Sequence, residues 1–90
     1  MKFYRGNYSW CNYNYNKIIE NKLTAIYSLN LYHTEFFKDG KSHNTKNASN
    51  IHNNGYKRFR LNNKYYGNNY NFTKHSWRKF VRELKLKVFI

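Results

Sequence analysis

Apolar and polar residues alternate with a period of two along much of this 90-residue chain, and a helical period takes over only near the end. Residues 1–16 carry Phe3, Tyr4, Tyr8, Trp10, Tyr13 and Tyr15, spaced by polar residues. The run Tyr13-Asn14-Tyr15-Asn16 has the repeat of a strand with one ring-bearing face; an irregular aromatic arm is the competing reading. In the next stretch Ile18, Ile19, Leu23, Ile26, Tyr27 and Leu29 roughly fit a helical stripe. Leu23, Ala25, Tyr27, Leu29 and Leu31 also alternate, and their aromatic and β-branched surroundings favour a strand. Glu20-Asn21-Lys22 is then a turn.

Residues 34–67 read as consecutive hairpins. Asp39-Gly40 is a strong two-residue turn signal, because both central positions of such a turn need positive φ. Asn53-Asn54-Gly55 marks a second turn and Asn62-Asn63 a third. Between them Lys57, Phe59 and Leu61 fall on one face and Tyr56, Arg58 and Arg60 on the other. Segment 42–50 is polar, a wide loop or a weak edge strand.

Near the end, Thr73 stands as an N-cap before Trp77, Phe80, Val81 and Leu84, the i, i+3, i+4, i+7 stripe of an amphipathic helix. His75, Arg78, Lys79 and Arg82 occupy its opposite side. Lys85 to Ile90 then alternates Leu86, Val88 and Ile90 against Lys85, Lys87 and Phe89, which predicts a final strand. The expected fold is α+β: an antiparallel β-meander of hairpins, one C-terminal amphipathic helix packed on the sheet, and a short final strand. The length fits a single domain over 1–90. Its parts are N-terminal aromatic strands (1–33), hairpins (34–67), the helix (73–84) and the final strand (85–90).

Phe37-Lys38-Asp39-Gly40-Lys41 with His43-Asn44 resembles the aromatic-x-N/D-G-K-x-H unit of MORN-like β-hairpin repeats. Residues 54–67 resemble a following unit, and Phe72-Thr73-Lys74-His75-Ser76-Trp77-Arg78-Lys79-Phe80 resembles a closing F-x-x-x-S-W-x-x-F segment. Such repeats occur in small proteins of bacteriophages, bacterial mobile elements and giant viruses. The resemblance covers roughly half the chain. It departs at Asn47-Ala48-Ser49, where the family often has Gly-Pro-Ala, and at Asn62-Asn63, where Asn-Gly is usual. It implies a hairpin scaffold and a phage or mobile-element origin, and no particular activity, since repeats are scaffolds for grafted function.

Charge narrows the partners. Seventeen Lys and Arg face four acids, a net charge of +13. The excess is +3 over residues 1–30, +1 over 31–55 and +9 over 56–90. Charge so concentrated self-repels until an anion screens it. Codon bias toward A and T accounts for part of this, because Asn, Lys, Tyr, Ile and Phe are abundant while Pro is absent. The five Arg are therefore the better evidence, and four of them follow residue 55.

Other chemistries find little support. The four acids form no paired-carboxylate motif, and no nucleophile elbow or phosphate loop is present. His33, His43, His52 and His75 lack the close spacing of a zinc site, and Cys11 is the lone cysteine, so neither metal, cofactor nor intrachain disulfide is expected. His43 reads as a hairpin residue bonded to turn backbone. No signal peptide or apolar span of ~20 residues is visible, so a cytoplasmic protein without a membrane partner is expected, in a host cell's cytoplasm if phage-encoded.

What remains is basic residues interleaved with aromatics. Tyr56, Arg58, Arg60, Lys64 and Tyr65, with Arg78, Lys79 and Arg82 from the helix, are the candidate nucleic-acid or anion contacts. The competing reading is that Phe59 is core and the charges are merely solvated. Trp10, Tyr13 and Tyr15 form a secondary candidate surface for a protein partner. The expected function is that of a small basic non-enzymatic binding protein. The resemblance and the charge together imply, more specifically, a phage anti-defence (anti-CRISPR-like) inhibitor of a host complex that handles nucleic acid, such as a CRISPR effector, with RNA ahead of DNA. The alternatives are a structural RNA-binding protein of ribosomal type, a nucleotide-signal sponge and a virion component.

Overall fold

The computed structural model describes residues 2–6, 15–29 and 33–88. Its elements in order are β1 (Lys2–Gly6), a short helix α1 (15–20), β2 (Ala25–Leu29), β3 (His33–Lys38), β4 (Lys41–Ser42), β5 (Asn50–His52), β6 (Lys57–Leu61), β7 (Lys64–Asn68) and α2 (Lys74–Val88). One sheet runs β1-β2-β3-β5-β6-β7, with β4 paired to β3. From β2 onward every pairing is antiparallel, while β1 lies parallel to β2. The architecture is thus the expected α+β meander with a C-terminal helix.

The turn chemistry acts as the sequence dictates. Asp39 and Gly40 both have positive φ (53° and 75°), and Asn62 and Asn63 do too (50° and 71°), closing two-residue hairpins. Gly55, at φ 95°, turns β5 into β6. β4 and β5 are one strand interrupted. Both pair with β3, and residues 43–49 leave the sheet between them, with His43 N–H donating to Phe36 O and Phe36 N–H to Ser49 O at the two ends of the excursion.

Two cores lie on opposite faces of this sheet. Over β5–β7, α2 seals Ala48, Phe59, Leu61, Trp77 and Val81, with Tyr66, Phe72 and Phe80 packed around them. A bulge in β7 allows this. Phe59 pairs with Gly67 and Arg60 with Tyr65, so Tyr66 is the extra residue, and its ring reaches Trp77 and Phe80. On the other face α1 covers β2 and β3, burying Ile18, Ala25, Tyr27 and Phe37 beneath Tyr15 and Leu23.

Three expectations are corrected. The final strand over 85–90 is helix as far as Val88: nothing in Lys85-Leu86-Lys87 stops a helix, and its hydrogen bonds are satisfied within the element, whereas a strand needs a free sheet edge. Leu86 accordingly points outward, 77% exposed. Phe89 and Ile90 lie outside the described residues. The strand expected over 13–16 is helical at Tyr15 and Asn16, while Tyr13 and Asn14 lie outside the described residues. Asn21-Lys22 is a turn, but it ends a helix. Leu23 N–H bonds to Ile18 O and Lys22 N–H to Ile19 O, with Lys22 at φ 55° where glycine is usual. That missing glycine is why the helix was not legible.

Candidate nucleic-acid interface

Alternation along β6 sends Phe59 and Leu61 under α2 and leaves Arg58 and Arg60 on the opposite face. Beyond the area covered by α1, that face is a polar strip. Its outer part is a pair of ring–guanidinium units. The Arg58 guanidinium carbon lies 5.5 Å from the Tyr56 ring centre, and that of Arg60 lies 5.9 Å from the Tyr65 ring centre. Arg58 Nε also donates to Tyr56 Oη at 3.5 Å, a bond that lowers the Tyr56 pKa. Arg58 is exposed, and Tyr65 is 49% exposed. Guanidinium groups held beside aromatic faces combine phosphate donors with stacking platforms.

The inner part of the strip was not foreseen. Glu35 is buried, 4% exposed, and burial raises its pKa against the opposing pull of Ser42, Asn50, Arg60 and Arg58. His33 Nε2 lies 3.6 Å from its carboxylate and accepts from the Asn50 amide at 3.3 Å. The His33 ring stacks on His52 at 4.6 Å and 5°, and His52 contacts Tyr56. Burial first, then His52 and Arg58, lower the His33 pKa to about 4. The imidazole is therefore neutral at physiological pH. Parallel stacked rings present faces to one another, and among the described residues no group of three or more His, Cys, Asp or Glu converges as metal ligands. Arg60 Nε is buried with no hydrogen-bond partner among the described residues.

The remaining sequence candidates separate. Lys64 sits by Tyr66, its Nζ 5.3 Å from the ring centre, at the helix-side end of the hairpin. Arg78, Lys79 and Arg82 lie on α2, across the sheet from Arg58 and Arg60. Arg78 is also engaged: its Nε donates to Lys46 O at 2.8 Å. Tyr15 packs edge-on against Tyr27 and Phe37, a core ring more than a docking surface. Trp10, Tyr13 and Cys11 lie outside the described residues. His43 Nδ1 accepts from Asn62 N–H at 3.1 Å, so it braces the third turn.

The strip's inner members had a faint signal in the sequence. His33 and Glu35 are two apart, as are Asn50 and His52, which puts each pair on one face of its strand. That β3, β5 and β6 would be neighbours in register was not readable, because the excursion at 43–49 hides the β5 pairing. Among the described residues, no helix is long and apolar enough to cross a membrane. No family model, curated protein or solved structure matches the chain.

Proposed function

We propose that the chain is a non-enzymatic binding protein whose β6–β7 face holds single-stranded RNA, free or within a host nucleoprotein complex that it obstructs. The observation that carries this reading is the adjacent pair of ring–guanidinium units, Tyr56–Arg58 and Arg60–Tyr65, on the face opposite α2. The inner polar strip supports it as a foundation. The buried Glu35 carboxyl lies within the electrostatic reach of both arginines, whose charges oppose the rise that burial imposes on its pKa. The net charge of +13 supplies long-range attraction to a polyanion. The obstructive, anti-defence role follows from the resemblance to phage-encoded hairpin proteins.

Binding of a short fluorescent single-stranded RNA, followed by anisotropy over a salt series, tests this. Arg58→Ala and Arg60→Ala are each expected to reduce the slope of log K against log salt by ~0.7, one phosphate contact's worth. Tyr65→Ala is expected to weaken binding by ~1–3 kcal/mol with little change of slope. Neutralising Lys17 and Lys22, or Lys79 and Arg82, is expected to matter less. Equal losses from every set would replace a defined site by diffuse charge attraction and overturn the reading.

A further inference from the structure

On the helix side of the sheet, the excursion at 43–46 forms one wall of a groove of about 520 Å³, completed by β3 and the last turn of α2. That volume lies within the ~300–1,000 Å³ of small-molecule sites. Its lining includes Phe36, Lys38, His43, Asn44, Lys46 and Lys85. Among the described residues none of the three lysines is ion-paired, and Asp39 is the sole acid of the lining. Three lysines thus line a concave surface against a single carboxylate, that of Asp39. The helix dipole accounts for Lys85, which stands in the last turn of α2, but not for Lys38 or Lys46.

The wall is rigid. Trp77 Nε1 donates to Asn44 O at 2.8 Å, Arg78 Nε donates to Lys46 O at 2.8 Å, and the Asn44 carboxamide bridges Lys46 N–H and Ala48 O. Because His43 Nδ1 accepts the Asn62 N–H, the proton of the neutral ring stands on Nε2, as a donor. Burial, Lys38 and Lys85 lower the His43 pKa against the opposing pull of Asp39, which disfavours the charged ring. The groove is thus a preorganised set of donors and cations beside one partly exposed ring, Phe36.

We propose that this groove binds a nucleoside monophosphate, its phosphate among Lys38, Lys46 and Lys85 and its base against Phe36. Two sources share that chemistry: a free nucleotide and the 5′-phosphorylated end of an RNA. The site lies across the sheet from Arg58 and Arg60 and does not depend on the RNA-binding reading of that face.

Isothermal titration of the full chain with adenosine 5′-monophosphate, adenosine and inorganic phosphate tests the site. A parallel titration uses two short RNAs that differ only in a 5′-phosphate or 5′-hydroxyl. The monophosphate is expected to saturate the site at least about tenfold more tightly than adenosine or phosphate, a difference of about 1.4 kcal/mol. Lys38→Ala and Lys46→Ala, both at exposed positions, are each expected to weaken it several-fold, with Lys74→Ala, an exposed lysine outside the groove, without effect. A free nucleotide that binds identifies the first source. Preference for the phosphorylated RNA alone, also lost in the lysine variants, identifies the second. The proposal is overturned if phosphate binds as tightly as the monophosphate, if the Lys38 and Lys46 substitutions change nothing, if Lys74→Ala abolishes the signal, or if none of the probes saturates.

Discussion

The two ends of the sheet are sealed on opposite faces by different means. Under α2 the seal is ring bulk: Phe59, Phe72, Trp77 and Phe80 lie with centroids 5.0–5.6 Å apart. Under α1 fewer rings are present, and the seal is close backbone approach. Gly40 donates its N–H to Leu23 O, and a Cβ there would meet Lys22 Cα at 2.7 Å and the Ile18 and Ile19 carbonyls at 2.9 Å. One end resists loss of volume poorly; the other resists gain of volume poorly. Each seal also leaves open the part of its own face that it does not cover.

The largest expected effect tests the bulky end. Trp77 is fully buried, and its indole N–H holds Asn44 O. Trp77→Ala should cost ~3–5 kcal/mol, a large share of the ~5–15 kcal/mol that holds a domain together, read as a lowered midpoint in urea. Trp77→Phe should recover much of the packing and none of the bond to the 43–46 wall. A wild-type midpoint for Trp77→Ala would remove α2 from the core.

Next in size is the close-packed end. Gly40→Ala should cost about 2–4 kcal/mol, combining the left-handed backbone with contacts to backbone that cannot move aside. Gly55→Ala is the control: φ is 95° but nothing stands within 4 Å of the added methyl, so about 1–2 kcal/mol is expected. Equal losses at the two glycines would mean that approach to α1 contributes nothing beyond turn geometry.

The smallest effect lies on the polar strip between the seals. The folded-state pKa of His33, about 4, is below its ordinary value, so the unfolded chain binds more protons in between. Stability present above pH ~6.5 is therefore lost as pH falls toward 4, by roughly 1–2 kcal/mol once screening of this partly exposed ring is discounted. Glu35 has the opposite sign: its raised pKa means that acid relieves a burial cost. The difference between the wild type and His33→Phe in melting temperature from pH 7 to 4 isolates the imidazole. The variant should lose less, and parallel pH profiles would show that His33 titrates normally.

These contrasts also explain what was legible in the sequence. The α2 stripe, its Thr73 cap and the Asp39-Gly40 and Asn62-Asn63 turns are local patterns, and each dictates its own geometry. Thr73 Oγ1 accepts Ser76 N–H, and Ser76 Oγ accepts Thr73 N–H in return. Tyr56, Arg58 and Arg60 were placed on one face by alternation alone. Features set by distant segments were not legible. α1 ends on Lys22 without a glycine signal, and Leu86 and Val88 alternate with lysines yet continue a helix because no stop intervenes. The Glu35 site requires β3, β5 and β6 in one register across an interruption of seven residues, 43–49, which no local window contains.

The extra residue in β7 has a consequence for how copies of this chain behave in a crowd. β7 ends the sheet path, so its outer backbone groups are a template on which another strand could add. The bulge at Tyr66 breaks the regular spacing of those groups, and Lys64 puts a positive charge at the strand's start. An approaching copy meets an interrupted ladder and like charge together. The bulge that lets Tyr66 reach Trp77 therefore also discourages edge-to-edge aggregation.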